Sequence, residues 1–227
     1  MALTARKIYE GVLYELQKVE APSFYVDDFN YFASKAIGMY ANLRYNLYEQ
    51  TQQLSDDLAP LVRQVSYQAS GITALKAALP LDYLHLLSGQ ITLKAIKKTR
   101  FSRVGEQVTK PLKRMRADFR PYAEDNYYNK PSLRSPYFRI ESGSIKVLYG
   151  DESLAQLVSL QVEYLKKPQP FLLTQSQIEA EEDSSQISEW SEYSDREIIA
   201  LITTLFLENI ESQARLQTQA ATSKSIL

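Results

Sequence analysis

Few residues in this chain could perform acid, base or nucleophilic chemistry. Its 227 residues include no Cys and a single His, His85, which lies within the stretch LDYLHLL. A Ser-His-Asp triad, a histidine base or a histidine-rich metal site would depend on this one imidazole. A lone His beside a predicted strand is more often a structural residue than a catalytic one. The sequence therefore argues against an enzyme, and it predicts neither a metal ion nor a cofactor.

Phosphate-binding and paired-carboxylate chemistry are also poorly supported. The chain has no G-x-G-x-x-G or G-x-x-x-x-G-K-[ST] motif, so it lacks the usual glycine-rich cradles for phosphate groups. The carboxylate pairs Asp27/Asp28 and Asp56/Asp57 fall at predicted helix ends. Capping of exposed backbone groups explains them more simply than acid-base catalysis.

Charge is strongly segregated along the chain, although the formal net charge is only −1. Residues 94–120 contain ten Lys or Arg against Glu106 and Asp118, whereas residues 179–197 contain eight acids against Arg196. The candidate contact residues of the basic segment are Lys97, Lys98, Arg100, Arg103, Lys110, Lys113, Arg114 and Arg116. The candidates for a complementary acidic patch are Glu179, Glu181, Glu182 and Asp183.

This charge pattern has three interpretations. The basic segment could be a solvated loop, or it could contact nucleic-acid phosphates with the help of interleaved aromatic residues. A sequence pI near 6.0 argues against a dedicated DNA-binding protein. In the third interpretation, basic and acidic patches of identical subunits meet head to tail, and such contacts make a ring when they close.

Amphipathic helices are predicted at both ends of the chain. Thr4 can cap a first helix that ends before Pro22, a second helix runs from Asp27 or Asp28 to about Gln50, and a capping box at Ser194–Glu197 opens the last one. The second helix has a core-facing stripe at the α-helical period, and we expect these side chains to be buried: Phe29, Phe32, Ala33, Ala36, Ile37, Tyr40, Leu43 and Leu47. Tyr31, Gly38 and Tyr45 fall on the opposite side, which makes them candidates for a subunit interface.

Strand patterns occupy the middle of the chain. Alternation is clear at Ile91, Leu93 and Ala95, in the hairpin YFRIE-SGS-IKVLY around Gly143, and in VSLQVEYL. The stretch VTKPLKRMRADF is predicted as either a short helix or an extended loop. The predicted fold class is α+β: a helical bundle built from N- and C-terminal amphipathic helices, with an inserted antiparallel β-region.

The predicted domain organisation follows from these patterns. Residues 1–60 and 191–213 form the helical layer, and residues 61–177 form the β-rich insertion that carries the basic segment 94–120. Residues 178–190 are an acidic linker, and residues 214–227 are a C-terminal tail. The longest apolar run, IIALITTLFL, is far shorter than the roughly 20 residues of a membrane span. The start of the chain does not resemble a signal peptide, so we expect a soluble protein made in the cytoplasm, with no membrane partner.

Several phrases of the sequence resemble the neck proteins of short-tailed bacteriophages. They are DDFNYFASKAIGMYANLRYNLYEQTQQLSDDL, LPLDYLHLLSG, VEYLKKPQPFLLT and REIIALITTLFLENIES, and the likeness extends over about residues 5–212. It is greatest to the ring or head-to-tail adaptor proteins of crAss-like phages. None of these phrases is a catalytic signature.

The resemblance implies a structural virion protein. It would lie below the portal in a homo-oligomeric ring of about twelve copies, in which each subunit presents the same surfaces to its neighbours. That ring would continue the channel through which double-stranded genomic DNA is packaged and ejected. The portal protein and the next tail or neck ring protein would be its partners, the helices would build the ring, and the C-terminal tail would contact the portal. The alternative is a nucleic-acid-binding module that acts through the basic segment.

Overall fold

A computed structural model describes residues 3–17, 23–48, 52–72, 75–98, 103–115 and 130–225. The chain divides into two compact units. The first unit combines residues 1–61 with residues 168–227, and the second unit is the continuous stretch 62–167. Arg100 and Arg116 of the basic segment lie outside the described residues.

The first unit is helical. In the part of the chain that the structure describes, its α-helices are α1 Ala5–Gln17, α2 Val26–Asn46, α3 Gln52–Leu58, α4 Gln175–Glu179 and α5 Glu192–Ser225. A 3-10 turn, Ala59–Leu61, follows α3. Helices α1 and α2 both pack against α5.

Aromatic rings fill the contact between α2 and α5. The ring centroid of Phe206 in α5 lies 4.7 Å from that of Phe24 and 5.6 Å from that of Phe32, both in edge-to-face geometry. Such pairs stabilise a core beyond the area they bury. The predicted core stripe of α2 is confirmed from Phe29 to Tyr40. It is wrong for Leu43 and Leu47, which are 57% and 43% exposed.

The last helix differs from its prediction at both ends. It begins at Glu192, earlier than the predicted capping box, and the Oγ of Ser191 accepts the backbone N–H of Ser194 at 3.2 Å. Ser191 therefore supplies the capping oxygen that was assigned to Ser194. The helix continues through Ser225, whereas the sequence predicted a tail from residue 214.

In the part of the second unit that the structure describes, strands are the main elements, and a 3-10 turn, Ala69–Gly71, follows the first of them. The strands are β1 Val62–Gln68, β2 Lys76–Ala78, β3 Tyr83–Ala95, β4 Gln107–Pro111, β5 Lys113–Arg114, β6 Tyr137–Glu141, β7 Ser144–Leu148 and β8 Ala155–Lys166. Sheet 1 has the order β1-β8-β3-β4 and sheet 2 the order β2-β7-β6-β5. The pairs are antiparallel except for β5 with β6, which is parallel.

The two sheets share one hydrophobic core. Its fully buried members include Ile91, Leu160 and Val162 of sheet 1, and Ile145 and Val147 of sheet 2. The predicted burial of Ile91, Leu93 and Ala95 is confirmed. The alternation in β8 changes phase between Leu157 and Leu160, because the pairing with β3 is shifted by an irregularity at this point.

The predicted hairpin is confirmed. Strands β6 and β7 pair antiparallel, and the turn between them places Ser142 and Gly143 at φ values of 45° and 74°. Consecutive positive φ values match the right-handed twist of the strands that the turn joins.

The predicted fold class is wrong. The chain is an α+β mixture with two four-stranded sheets and, among the described residues, five helices, not a helical bundle with an inserted antiparallel β-region. Strands β2 and β5 are too short to give a recognisable alternation. The sequence pattern therefore understated the strand content and could not reveal a second sheet. Residues 107–111 and 113–114 are strands, so both alternatives for this stretch, short helix and loop, are also wrong there.

Candidate interaction surfaces

The residues predicted to form an interface on α2 differ in accessibility. Tyr31 is 65% exposed, whereas Tyr45 is half-buried. Gly38 is partly exposed, and a Cβ atom added to it would meet nothing within 4 Å. The structure thus places Tyr31 and Gly38 on an accessible face of α2, and Tyr45 at its margin.

A second set of exposed residues on α2 was not recognised from the sequence. Met39, Leu43 and Leu47 are spaced four residues apart and are 38%, 57% and 43% exposed. The same spacing leads back through Lys35 to Tyr31, so these five residues form one i, i+4 row, the α2 ridge, which winds around the helix by about 40° per step and ends at Leu47, just after α2. The apolar spacing itself was visible in the sequence. What it could not show is how much of Met39, Leu43 and Leu47 stays exposed once the other helices pack against α2.

Arg44 fixes this end of α2. Its guanidinium pairs with Glu197 of α5 and lies 3.5 Å from the Asp57 carboxylate of α3, measured from Nε to Oδ2. It also stacks over the Tyr40 ring at 5.0 Å. Burial raises the pKa of Tyr40, so its hydroxyl is neutral at physiological pH. These contacts join α2, α3 and α5 near the C-terminal end of α2.

The structure separates the basic segment into two groups. Lys97, Lys98 and Arg103 are exposed where β3 ends and β4 begins. Lys110 lies in β4, the edge strand of sheet 1, and Lys113 and Arg114 form β5, the edge strand of sheet 2.

The length of β4 lies between these two groups. The strand opens at Gln107, opposite Lys94, and ends at Pro111, opposite Gln90. At a strand rise of about 3.3 Å per residue, its two ends are roughly 13 Å apart. The first group therefore lies near the start of β4, and the second group lies at or beyond its end.

This separation bears on the nucleic-acid interpretation. Charged residues on an edge strand also protect a sheet from pairing with other chains, so these side chains have a structural explanation as well. The described cations of the basic segment do not form one continuous patch on a single strand or sheet.

The acidic segment is held in place by one of its own carboxylates. Asp183 accepts hydrogen bonds from the Thr4 hydroxyl and from the backbone N–H of Ser185, the latter at 3.0 Å. Although partial burial opposes ionisation, these hydrogen bonds and the charge of Arg6 lower the pKa of Asp183. Asp183 is therefore exposed but held by structural contacts, and Glu179, Glu181 and Glu182 are exposed as well.

Among the described residues, His85 and one cleft of the second unit are candidates for a catalytic role. His85 is half-buried in β3, and burial lowers its pKa, which leaves the imidazole neutral at physiological pH. A cleft of about 370 Å³ is lined by Leu75, Met115 and Tyr149, with Lys130 and Glu152 among its charged residues. His85 does not line this cleft. The structure therefore does not join the imidazole to the cleft.

Two further kinds of feature are absent from the described part of the chain. No helix in the described ranges is both long and apolar enough to cross a membrane. Within the same ranges, His, Cys, Asp and Glu form no group of three or more that could hold a metal ion.

Comparison with known proteins provides no assignment. No protein-family model matches the chain, and no curated protein shows significant sequence similarity to it.

Proposed function

We propose that this chain is a structural protein of a bacteriophage virion, a head-to-tail connector that forms an oligomeric ring below the portal. Its role is to continue the DNA channel during packaging and ejection. The sequence resemblance to phage neck proteins motivates this proposal, and the surface chemistry of the chain is consistent with it.

The observation that carries the proposal is the α2 ridge. Tyr31, Met39, Leu43 and Leu47 expose between 38% and 65% of their surface in one i, i+4 row that winds around α2 and ends at Leu47, just after its last residue. An aligned set of exposed apolar side chains is typical of a protein interface, since leaving such a row in water brings no stability to the monomer. Lys35, between Tyr31 and Met39, is the one charged side chain in this row.

The proposed mechanism is mechanical and electrostatic. A channel must let DNA slide, so cations that face the lumen have to be few enough to avoid tight binding. The separation of the basic segment into two groups suits contacts with neighbouring proteins better than one continuous DNA-binding track. In this proposal, Lys97, Lys98 and Arg103 contribute to contacts between proteins.

Charge placed on the ridge tests the proposal. We expect Leu43→Glu to leave the free energy of unfolding within about 0.5 kcal/mol of wild type, because surface substitutions of this kind are usually mild. We expect the same substitution to weaken assembly with the portal protein of the same phage roughly tenfold or more, because a charge would be buried in an apolar contact. Co-sedimentation with the portal protein measures this effect.

Leu81→Glu is the matched control. Leu81 is fully exposed in the second unit, so the substitution introduces the same charge away from the ridge. We expect it to assemble like wild type. Equal loss of assembly in both variants, or no loss in either, would contradict a role for the ridge. Retention of duplex DNA by the isolated monomer at moderate salt would instead favour the nucleic-acid-binding module.

A further inference from the structure

Sheet 2 carries a row of cations that no sequence pattern indicated. Lys146 in β7 lies directly opposite Lys76 in β2 and directly opposite Arg139 in β6. Neighbouring strands are about 4.8 Å apart, so the three cations stand side by side across the sheet. Like charges in directly opposite positions destabilise a sheet, which makes this arrangement costly for the monomer.

The row lies on the face of sheet 2 that points away from the core. Ala77, Ile145 and Val147 are buried in the core, and successive residues of a strand point to opposite faces. Lys113 in β5 pairs with Tyr137, which shares the outward side with Arg139. The cationic face is therefore defined by Lys76, Lys113, Arg139 and Lys146.

One carboxylate only partly compensates these charges. Glu141, the single acid in strands β2, β5, β6 and β7, pairs with Arg139 and lies 3.2 Å from the Lys76 Nζ. Partial desolvation opposes its ionisation, yet the hydrogen bond from Lys76 and the nearby cations lower the pKa of Glu141. The buried Nε of Arg139 has no hydrogen-bond partner among the described residues. Within the described strands of sheet 2, the four cations of this face are accompanied by one carboxylate, which leaves a surplus of three positive charges there.

We propose that the cationic face binds the acidic segment of a second copy of this chain, through Glu179, Glu181 and Glu182. This inference rests on the proposed function and names the contact between neighbouring subunits. The three exposed carboxylates equal the surplus charge of the cationic face. The two surfaces lie at different positions on the chain, so the contact is head to tail and can propagate into a ring.

A second copy fits this face better than nucleic acid does. Proteins that bind duplex DNA through its backbone commonly neutralise about 6–10 phosphates. The cationic face offers only four cations, one carboxylate lies among them, and its net surplus is smaller than this number. A short acidic segment matches the size and the charge of the face.

Complementary variants isolate a single contact. Variant A carries Glu181→Lys and Glu182→Lys and keeps only the cationic face, whereas variant B carries Lys113→Glu and Lys146→Glu and keeps only the acidic segment. Lys146→Glu makes the charges alternate across the row, so we expect variant B to fold at least as stably as wild type. Thermal unfolding of each variant checks this expectation.

Sedimentation velocity at low salt then provides the test. We expect A and B to be monomers alone and to form a 1:1 complex when mixed, and we expect salt to dissociate that complex. The self-association of variant A, and that of variant B, should each be weaker than the binding of A to B by roughly tenfold or more. A control with Lys94→Glu and Lys98→Glu, which reverses two exposed cations in or just after β3, should still bind variant A.

Two outcomes would overturn the inference. One is the absence of an A–B complex when both variants are folded. The other is duplex DNA binding by wild type that variant B loses, which would make the face a nucleic-acid site. If wild type joins the portal but A and B do not associate, the proposed function stands without this contact. If A and B associate but wild type does not join the portal, the contact stands and the proposed function fails.

Discussion

Asp195 is fully buried at the start of α5 and links separate parts of the first unit. Its Oδ2 accepts the backbone N–H of Leu3 at 3.0 Å, and its Oδ1 accepts the Ser188 hydroxyl at 2.5 Å. Burial raises the pKa of this carboxyl above the ordinary value of 3.8, although both hydrogen bonds oppose the change. The folded chain therefore binds a proton at Asp195 more tightly than the unfolded chain does.

Replacing Asp195 with Asn tests this linkage. The stabilisation due to the raised pKa is complete below the unfolded value and is lost as pH rises through the folded value. We expect the free energy of unfolding of wild type, minus that of Asp195→Asn, to fall as pH rises above 3.8. Urea unfolding of both proteins over a pH series measures the difference. A difference that rises with pH would mean that hydrogen bonding outweighs burial.

Gly38 offers a second test at the scale of one residue. Because a Cβ at this position meets nothing within 4 Å, we expect Gly38→Ala to stabilise the free chain by about 0.5–1 kcal/mol through its greater helix propensity. If the face around Gly38 packs closely against a neighbouring subunit, the same methyl group should weaken assembly. Thermal unfolding and portal co-sedimentation separate these effects. Improved stability with unchanged assembly would exclude close packing at Gly38.

At the scale of elements, two turns of the second unit depend on glycine. Gly143 in the β6–β7 hairpin has a φ of 74°, and a Cβ there would meet nothing within 4 Å. Gly150 follows β7 with a φ of 92°, and a Cβ there would lie 2.8 Å from the carbonyl oxygen of Pro131. Gly143 is therefore required only for its positive φ. Gly150 is required for its positive φ and also because a side chain there would clash with Pro131.

Alanine at these two positions should therefore have unequal effects. We expect Gly143→Ala to cost about 1–2 kcal/mol, the penalty of a left-handed conformation. Gly150→Ala should cost more, because the backbone of Pro131 must also move. Chemical denaturation of both variants measures the difference. A smaller cost for Gly150→Ala would show that this part of the chain adjusts easily.

Elements with strong periodicity could be predicted from the sequence. The buried residues of α2 up to Tyr40, the strand positions Ile91 and Leu93, and the hairpin at Gly143 were all recognised because each repeats at a helical or strand period. Leu43 was wrongly predicted to be buried, because periodicity shows which residues share a face of a helix but not which of them other elements cover. The cationic row escaped recognition because Lys76, Lys146 and Arg139 come together only through strand register.

At the scale of the whole molecule, the division into two units matters for the proposed ring. The α2 ridge and the acidic segment belong to the unit of residues 1–61 and 168–227, and the cationic face belongs to residues 62–167. A head-to-tail contact would therefore join different units of neighbouring copies. The sequence predicted segregated charge, but the sheet order that creates the cationic face depends on long-range pairing that no local pattern encodes.

Native mass spectrometry of the wild-type chain, alone and co-expressed with the portal protein of the same phage, tests whether the chain is a portal-bound connector. We expect a complex in which several copies of this chain, about twelve if the ring follows portal symmetry, join one portal assembly. Absence of any such complex, under conditions where the chain is folded, would contradict the assignment as a portal-bound connector.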